Sequence, residues 1–313
     1  MEHTYESTVV HHEWDAALPP ALTVSSGDIV HFDLRMAGHG QVSETTTQPP
    51  LDFATLYHLA GPIAVSGARP GDTLRVDVLS LEPGEWGWAA IIPGLGLLGD
   101  EFDEPWLGVF DLRERGSVEA APGIRIPTAP FLGTMGTHPG EPATATVFPP
   151  HRGGGNVDTR HLTSGSTLWL PVWRDGALFS CGDPHAVQGD GEVCVTAVEC
   201  PMRASLRFTV ESRTITAPRF RTAGPLLSVD ERAGHLGTMG IAADLMEGAR
   251  TAVRGAIDWL VEEHGLSRRE AYVLCSLAGD LKILEIVDAG VWNVGFTLPL
   301  SIFPNHAPEE SER

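Results

Sequence analysis

Pro70-Gly71-Asp72-Thr73-Leu74-Arg75-Val76-Asp77-Val78-Leu79 is a glycine turn running straight into a strand. The Pro-Gly-Asp trio suits a tight turn. After it Leu74, Val76 and Val78 alternate with polar neighbours at the period of two that a half-buried strand requires. The same unit recurs on either side. Ser26-Gly27-Asp28 follows Leu22-Thr23-Val24 and opens Ile29 to Leu34, and Ser164-Gly165-Ser166 opens Thr167 to Trp173. This recurrence suggests related β-layers. The 35 glycines and 24 prolines are spread along the chain, as many short strands separated by turns would need. A second echo, Leu132-Gly133-Thr134-Met135-Gly136 against Leu236-Gly237-Thr238-Met239-Gly240, is either a trace of duplication or two unrelated glycine turns.

The pattern changes after Asp244. Leu245, Ala249, Ala252, Val253, Ala256, Ile257, Leu260 and Val261 fall at helical spacing, and Gly265 is placed to close that helix. Ser267 with Glu270 three residues on fits a capping box opening a second helix through Leu277. Leu281 to Val287 returns to a strand pattern. The expected fold is mainly β (α+β): a β-sandwich-like core of many short strands with a helical hairpin near the C-terminus. One unit over 1–313 is expected, β-rich over about 1–215 and α+β over about 216–306, with a disordered tail at 307–313.

With 313 residues, the chain is long enough for a large core. Acidic residues outnumber basic ones 41 to 21, for a formal charge of −20, and Lys282 is the sole lysine. Such a field repels nucleic acid and anionic membranes and favours cations or neutral substrates. No apolar run has the length of a signal core or a membrane span, and Cys181, Cys194, Cys200 and Cys275 form no Cys-x-x-Cys pair. They read as reduced, buried thiols, and the protein as cytoplasmic.

Polar residues concentrate between Asn156 and Glu199. Asp183 and His185 are two apart, so on an extended segment both would point the same way. Asp158, Asp190 and Glu192 can add oxygens, and carboxylates converging with imidazole from separate loops are what a divalent metal needs. Asn156, Asp183 and Asp190 also sit beside glycine, where such side chains commonly stabilise turns. His11, His12 and Trp14 read as an exposed start, and the acidic run Asp100, Glu101, Asp103 and Glu104 as a solvated loop. No Gly-x-Gly-x-x-Gly opening a helix, no phosphate loop and no Gly-x-Ser-x-Gly elbow occurs. A lysine-dependent amidase triad would have to draw on Lys282 alone, which lies downstream of every cysteine. For amide hydrolysis, metal-activated water remains the sensible nucleophile.

The stretch GGGNVDTRHLTSGSTLWLPVWRDGALFSCGDPHAVQGDGEVCVTAVEC, Gly153 to Cys200, resembles the signature of the acetamidase/formamidase family. GPIAVSGARPGDTLRVDVLSL (Gly61 to Leu81), GWAAIIPGLGLLGDEF (Gly87 to Phe102), PFLGTMGTHP (Pro130 to Pro139) and EAYVLCSLAGDLKILEIVD (Glu270 to Asp288) match it collinearly. The resemblance implies a β-rich homo-oligomer, a dimer or larger, that hydrolyses formamide or acetamide to acid and ammonia. It implies a divalent metal, zinc with calcium as the alternative. Carried onto this chain, Asp158, Asp183 and His185 would bind metal. Glu192 would be the general base with Glu199 in reserve, and Asn156, Gln188 and Asp190 would meet a small neutral amide. Other C–N substrates (a carbamate, a urea derivative, a lactam) and a non-catalytic binding role stand as alternatives. Departures from the family pattern at Arg35, His39 and Gln41 are expected to shape substrate choice, and His235 stands where an aromatic residue is usual.

Overall fold

A computed structural model of the chain describes residues 1–6, 8–47, 51–224, 234–287 and 290–304. The strand expected after Pro70 runs from Thr73 to Pro83, past Leu79. It runs on because Met202–Glu211 pairs antiparallel along its whole length, with a bulge between Ser205 and Leu206. These two strands lie inside a six-stranded sheet ordered Glu2–Tyr5, Ile29–Leu34, Met202–Glu211, Thr73–Pro83, Thr167–Pro171, Arg219–Arg221. A second six-stranded sheet runs Gly154–Asn156, Phe131–Thr137, Phe179–His185, Leu59–Val65, Val10–His11, with Leu22–Val24 joined to Leu59–Val65. The inner faces share one core, in which Val30, Phe32, Val76 and Phe208 meet Ile63, Val65, Phe131 and Phe179. The rings of Phe179 and Phe208 lie 4.9 Å apart across it. The architecture is the expected sandwich.

The two sheets bury their residues differently. Met202–Glu211 alternates buried and open positions, whereas Phe131–Thr137 and Phe179–His185 are buried at every residue. Those two strands are covered on both faces, which is where polar groups can be desolvated.

Near the C-terminus, α1 spans Leu245–His264, with the Asp244 side chain accepting from the Glu247 amide and Gly265 closing it at φ 65°. Helix α2 spans Arg268–Ala278 behind a complete Ser267/Glu270 capping box. Helix α1 packs on a three-stranded sheet ordered His235–Ala242, Trp292–Pro299, Asp280–Glu285, to which Thr238 Oγ1 ties it by a 2.7 Å bond to the Ala252 carbonyl. The tail from Ala307 lies outside the described residues.

One local expectation gives way and another holds. His11 and Trp14 are buried rather than exposed, because Val10–His11 and Glu13–Asp15 join sheet edges and His11 Nε2 meets Ser180 Oγ at 2.9 Å. The acidic run is an exposed loop, as expected, with Glu101 paired to Arg254 of α1 and Glu104 to Arg269 of α2. All four cysteines are free and buried.

Candidate active site

Gly133 is the floor of the site. It lies in the strand Phe131–Thr137, between Gly154–Asn156 on one side and Phe179–His185 on the other. Its carbonyl accepts from the amides of Val157 and Asp158 at 3.0 and 3.1 Å, which turns the chain so that Asp158 folds back over the strand. A methyl group on Gly133 would lie 2.5 Å from Asp158 Oδ1, 2.7 Å from Asp183 Oδ2 and 2.8 Å from His185 Cε1. A side chain there would fill the space into which these groups converge.

The acids reach that space through backbone that most residues avoid. Asp158, Asp183 and Glu192 have φ of 41°, 55° and 42°. Left-handed conformations cost non-glycine residues energy and recur at functional sites. Asp183 and His185 lie two apart in one strand and face the same space, as expected, with a local departure from extended backbone at Asp183. The positive φ at Asp183 brings its Oδ1 to 3.5 Å from His185 Nε2. His185 then bridges to Glu199 through the main chain, and its Nε2 lies 3.0 Å from Glu199 Oε2. Glu199 is itself held by Trp88, whose amide and carbonyl bond to the carbonyl and amide of Glu199 at 2.9 and 2.8 Å.

Glu192 arrives on the turn after Gln188. The Gly189 amide donates to the Ser276 carbonyl at 2.7 Å, and Ser276 Oγ donates to the Thr196 carbonyl at 2.8 Å. The C-terminal half of α2 thus supports the loop that carries Glu192. The result is two overlapping sets, Asp158–Asp183–His185 and His185–Glu192–Glu199, each with ligand-type atoms within 4.8 Å of one another. Asp158 and Glu192 are half-buried, while Asp183, His185 and Glu199 are buried.

Electrostatics follow from this crowding. Burial, then the neighbouring Asp183 charge, pushes Asp158 up to about 8. Burial and the Asp158 charge hold Glu192 well above the usual carboxylate range, and burial raises Glu199 against the opposing pull of His185. Burial alone would lower His185, but Glu199 and Asp183 outweigh it and hold the ring well above its ordinary value. Asp158 Oδ1, Glu199 Oε2 and both ring nitrogens of His185 are buried without an aligned hydrogen-bond partner among the described residues. Four carboxylates around one imidazole, with orphaned acceptor atoms, form a donor set that fits a divalent cation.

Asn156, Gln188 and Asp190 sit around this centre in different ways. Asn156 is committed at both ends, accepting from Thr134 Oγ1 at 2.6 Å and donating to the Phe148 carbonyl at 3.1 Å. Gln188 donates from Nε2 to the Asp158 carbonyl at 2.9 Å and keeps Oε1 buried without a partner. The Asp190 carboxylate faces His161 and Arg160 at 3.3 and 3.5 Å. Neither of the two clusters includes it.

The structure adds Tyr57, Trp88, Gly133 and Ser276. Tyr57 is held well above the ordinary phenol range by burial and then by the charges of Asp183, Asp158, Glu199 and Glu192, so its hydroxyl stays protonated. Gly133 lies inside the quoted PFLGTMGTHP stretch, but a glycine kept for the space it leaves carries no chemical signal in the sequence.

The acetamidase/formamidase family model matches residues 1–147 and 140–305. The acetamidase of Mycolicibacterium smegmatis is 28% identical over 247 residues, 58% of this chain and 61% of that protein. The formamidase of Methylophilus methylotrophus is 27% identical over 242 residues, 59% of each chain. The alignments thus span about three fifths of the length of these curated relatives. Among solved structures, the acetamidase from Bacillus halodurans superposes with a TM-score of 0.68 at 30% identity, covering 97% of this chain and 99% of that one. The gamma lactamase from Delftia acidovorans shares the fold with a TM-score of 0.88 at 22% identity, covering 96% and 93%.

Proposed function

Because this chain belongs to the acetamidase/formamidase family, we propose that it hydrolyses a small aliphatic amide to carboxylate and ammonia at the Gly133 floor, with a divalent cation held there. The observation that carries this reading is the convergence of Asp158, Asp183, His185, Glu192 and Glu199 with orphaned acceptor atoms. Asp158, Asp183 and His185 would hold the ion. Mixed imidazole and carboxylate donors favour zinc over calcium, which prefers all-oxygen sites. When bound, the ion supplies Lewis-acid polarisation of the amide carbonyl and acidifies water.

The chain's own residues handle the protons. Glu192, half-buried beside the cluster and ionised when the cation is bound, takes a proton from the attacking water as its oxygen bonds to the carbonyl carbon. It returns that proton to nitrogen as the C–N bond breaks, releasing ammonia. Glu199 orients His185, and Tyr57 donates a hydrogen bond toward the developing charge. No cysteine takes part, since burial raises all four thiols.

The decisive experiment is ammonia release from formamide, acetamide and propionamide, with and without chelation and zinc add-back. Chelator-sensitive release is expected. No release from the zinc-loaded, folded protein would remove the linear-amide reading and direct the assay to lactams. Self-association belongs to the same proposal. Met239, Ile241 and Leu284 are exposed to 62%, 68% and 49%, an apolar surface suited to a second copy. Light scattering would read the oligomer directly. A cytoplasmic location is proposed from the free thiols; among the described residues no helix is long and apolar enough to cross a membrane.

A further inference from the structure

Beside the acid–histidine cluster lies a second row of charges that the proposed reaction does not use. Arg160 comes two residues after Asp158, and its side chain is only 11% exposed. Its Nη1 lies 3.1 Å from Asp280 Oδ1 and its Nη2 3.4 Å from Oδ2, a forked pairing with one carboxylate. Nη1 also donates to the Gln188 carbonyl at 3.2 Å, and Nε lies 3.5 Å from Asp190 Oδ1. His161 Nε2 meets the same Asp190 oxygen at 3.3 Å. Lys282, the chain's sole lysine, comes to 3.9 Å from Asp280 Oδ2. The order is His161, Asp190, Arg160, Asp280, Lys282, with basic and acidic groups alternating. The Asp280 side chain is 5% exposed. Desolvating an ion pair to this degree is unfavourable unless its geometry is well satisfied, so the pair is weak evidence for stability alone.

What the row connects is more specific. Gln188 closes a ring between two turns of the site: its carbonyl accepts from Arg160, and its Nε2 donates to the Asp158 carbonyl at 2.9 Å. Asp280 holds the next residues of the same loop. Its Oδ1 accepts from the Asp190 amide at 3.1 Å, and the Asp190 carbonyl accepts from the Leu281 amide at 2.9 Å. A side chain on Gly189 would run into the Gly279 carbonyl, so the loop lies flush against the end of α2. Glu192 follows two residues after Asp190. Asp158 and Glu192 both carry positive φ, 41° and 42°. Such backbone persists where its surroundings over-determine it. Gly133 supplies that constraint for Asp158 on one side, and Arg160, Gln188 and Asp280 supply it between the two turns.

We propose that Arg160 is a positioning residue. By gripping the Gln188 carbonyl, Asp190 and Asp280 together, it fixes the turn of Asp158 against the loop of Glu192 and so sets the general base relative to the metal ligands. This rests on the amide-hydrolase reading above, and it gives Asp190 to the clamp instead of to the substrate. A guanidinium suits the task because its donors lie in one rigid plane and serve several acceptors at once. An ammonium at the same place is a point charge on a flexible stem. The effect passes through the main chain of the loop, not through contact with the reacting atoms.

The test uses the full-length protein as wild type, Arg160→Lys and the double variant Arg160→Met/Asp280→Asn. The double variant removes both buried charges together, so no carboxylate is left unpaired at 280, and that position keeps an acceptor for the Asp190 amide. Melting curves check the fold, and Arg160→Lys, which keeps the charge, decides the matter if the double variant melts early. On the amide that wild type hydrolyses, the double variant is expected to lose about 10- to 100-fold in kcat with KM within about threefold, the scale of a displaced catalytic group. Zinc affinity, read by competition with a chromogenic chelator, should fall about 10- to 100-fold, and Arg160→Lys should lie between on both counts. Amide hydrogen exchange over 187–196, without metal or substrate, should speed up in the double variant. Unchanged kcat, zinc affinity and exchange in a folded double variant overturn the clamp and leave the hydrolase standing. A rise in KM alone also overturns it, making Arg160 a substrate contact. If wild type neither binds zinc nor releases ammonia, the hydrolase reading fails and exchange decides the clamp by itself: faster exchange supports it and equal exchange overturns it.

Discussion

The same five residues, Leu-Gly-Thr-Met-Gly, occur at 132–136 and at 236–240, and the molecule uses them in opposite ways. Both copies are strands. The first lies inside the second six-stranded sheet with every residue buried, and the other edges the three-stranded sheet with alternate residues open. Met135 is 0% exposed and Met239 62%. Gly133 has three atoms of the acid–histidine cluster within 3 Å of where a side chain would be, whereas the nearest neighbour of such a side chain on Gly237 is Thr297 Cγ2 at 3.9 Å. Local sequence made both segments extended, and their neighbours decided that one would lie beneath a cluster of acids and a histidine and the other at an outer edge.

The sharpest break in this comparison comes from adding one carbon to each glycine. Gly133→Ala is expected to lower bound zinc below one per chain and to reduce kcat at least ~100-fold, the scale of losing a well-placed catalytic group, while Gly237→Ala changes neither. Elemental analysis with steady-state kinetics reads both, and equal behaviour of the two variants would sink the floor assignment. His185→Ala should abolish turnover and metal retention together with the fold intact by circular dichroism. Full activity would remove it from the metal site.

Stability separates the methionines. Met135→Ala should cost about 2–5 kcal/mol by denaturant melts and Met239→Ala less than about 0.5. A large cost at Met239 would show that its face is covered, as self-association requires, and that cost would then depend on protein concentration.

A pH series on metal-stripped protein sharpens the electrostatic side. Asp158 is raised from 3.8 to about 8, and Glu192 and Glu199 are also raised. The folded state therefore holds protons that the unfolded chain releases near pH 4. The stabilising contribution of these groups is present below about pH 4 and is lost as pH climbs through about 8. The melting temperature of stripped protein should fall over that window and flatten once zinc is restored. A pH-independent melt without metal would show that the carboxylates are not crowded. The smallest effect is expected at Cys181→Ser, which should keep kcat within about twofold, since burial raises the thiol and the proposed reaction uses no sulfur nucleophile.

Much of the scaffold was legible because it repeats at short range. The period-two pattern after Pro70, the helical stripe after Asp244 with Gly265 behind it, and the Ser267/Glu270 box each involve residues within a few positions of one another. The metal-type residues Asp158, Asp183 and His185 could be named for their chemistry. Their strand placement was legible too, but the positive φ at Asp183 and the closeness of Asp158, which comes from a separate turn, were not.

The sequence by itself determined a glycine-punctuated β-sandwich with a capped helical hairpin, a strongly acidic chain, and an inventory of carboxylates and imidazole that suits a divalent ion. Only the tertiary structure decided that Gly133 leaves the space they share, and that Trp88 and Ser276 brace Glu199 and Glu192 from elsewhere in the chain. The physical reason is range. Turns, strand alternation and helix caps are set by interactions a few residues long, whereas desolvation, pKa shifts and close approach depend on groups that the chain brings together only after it has folded.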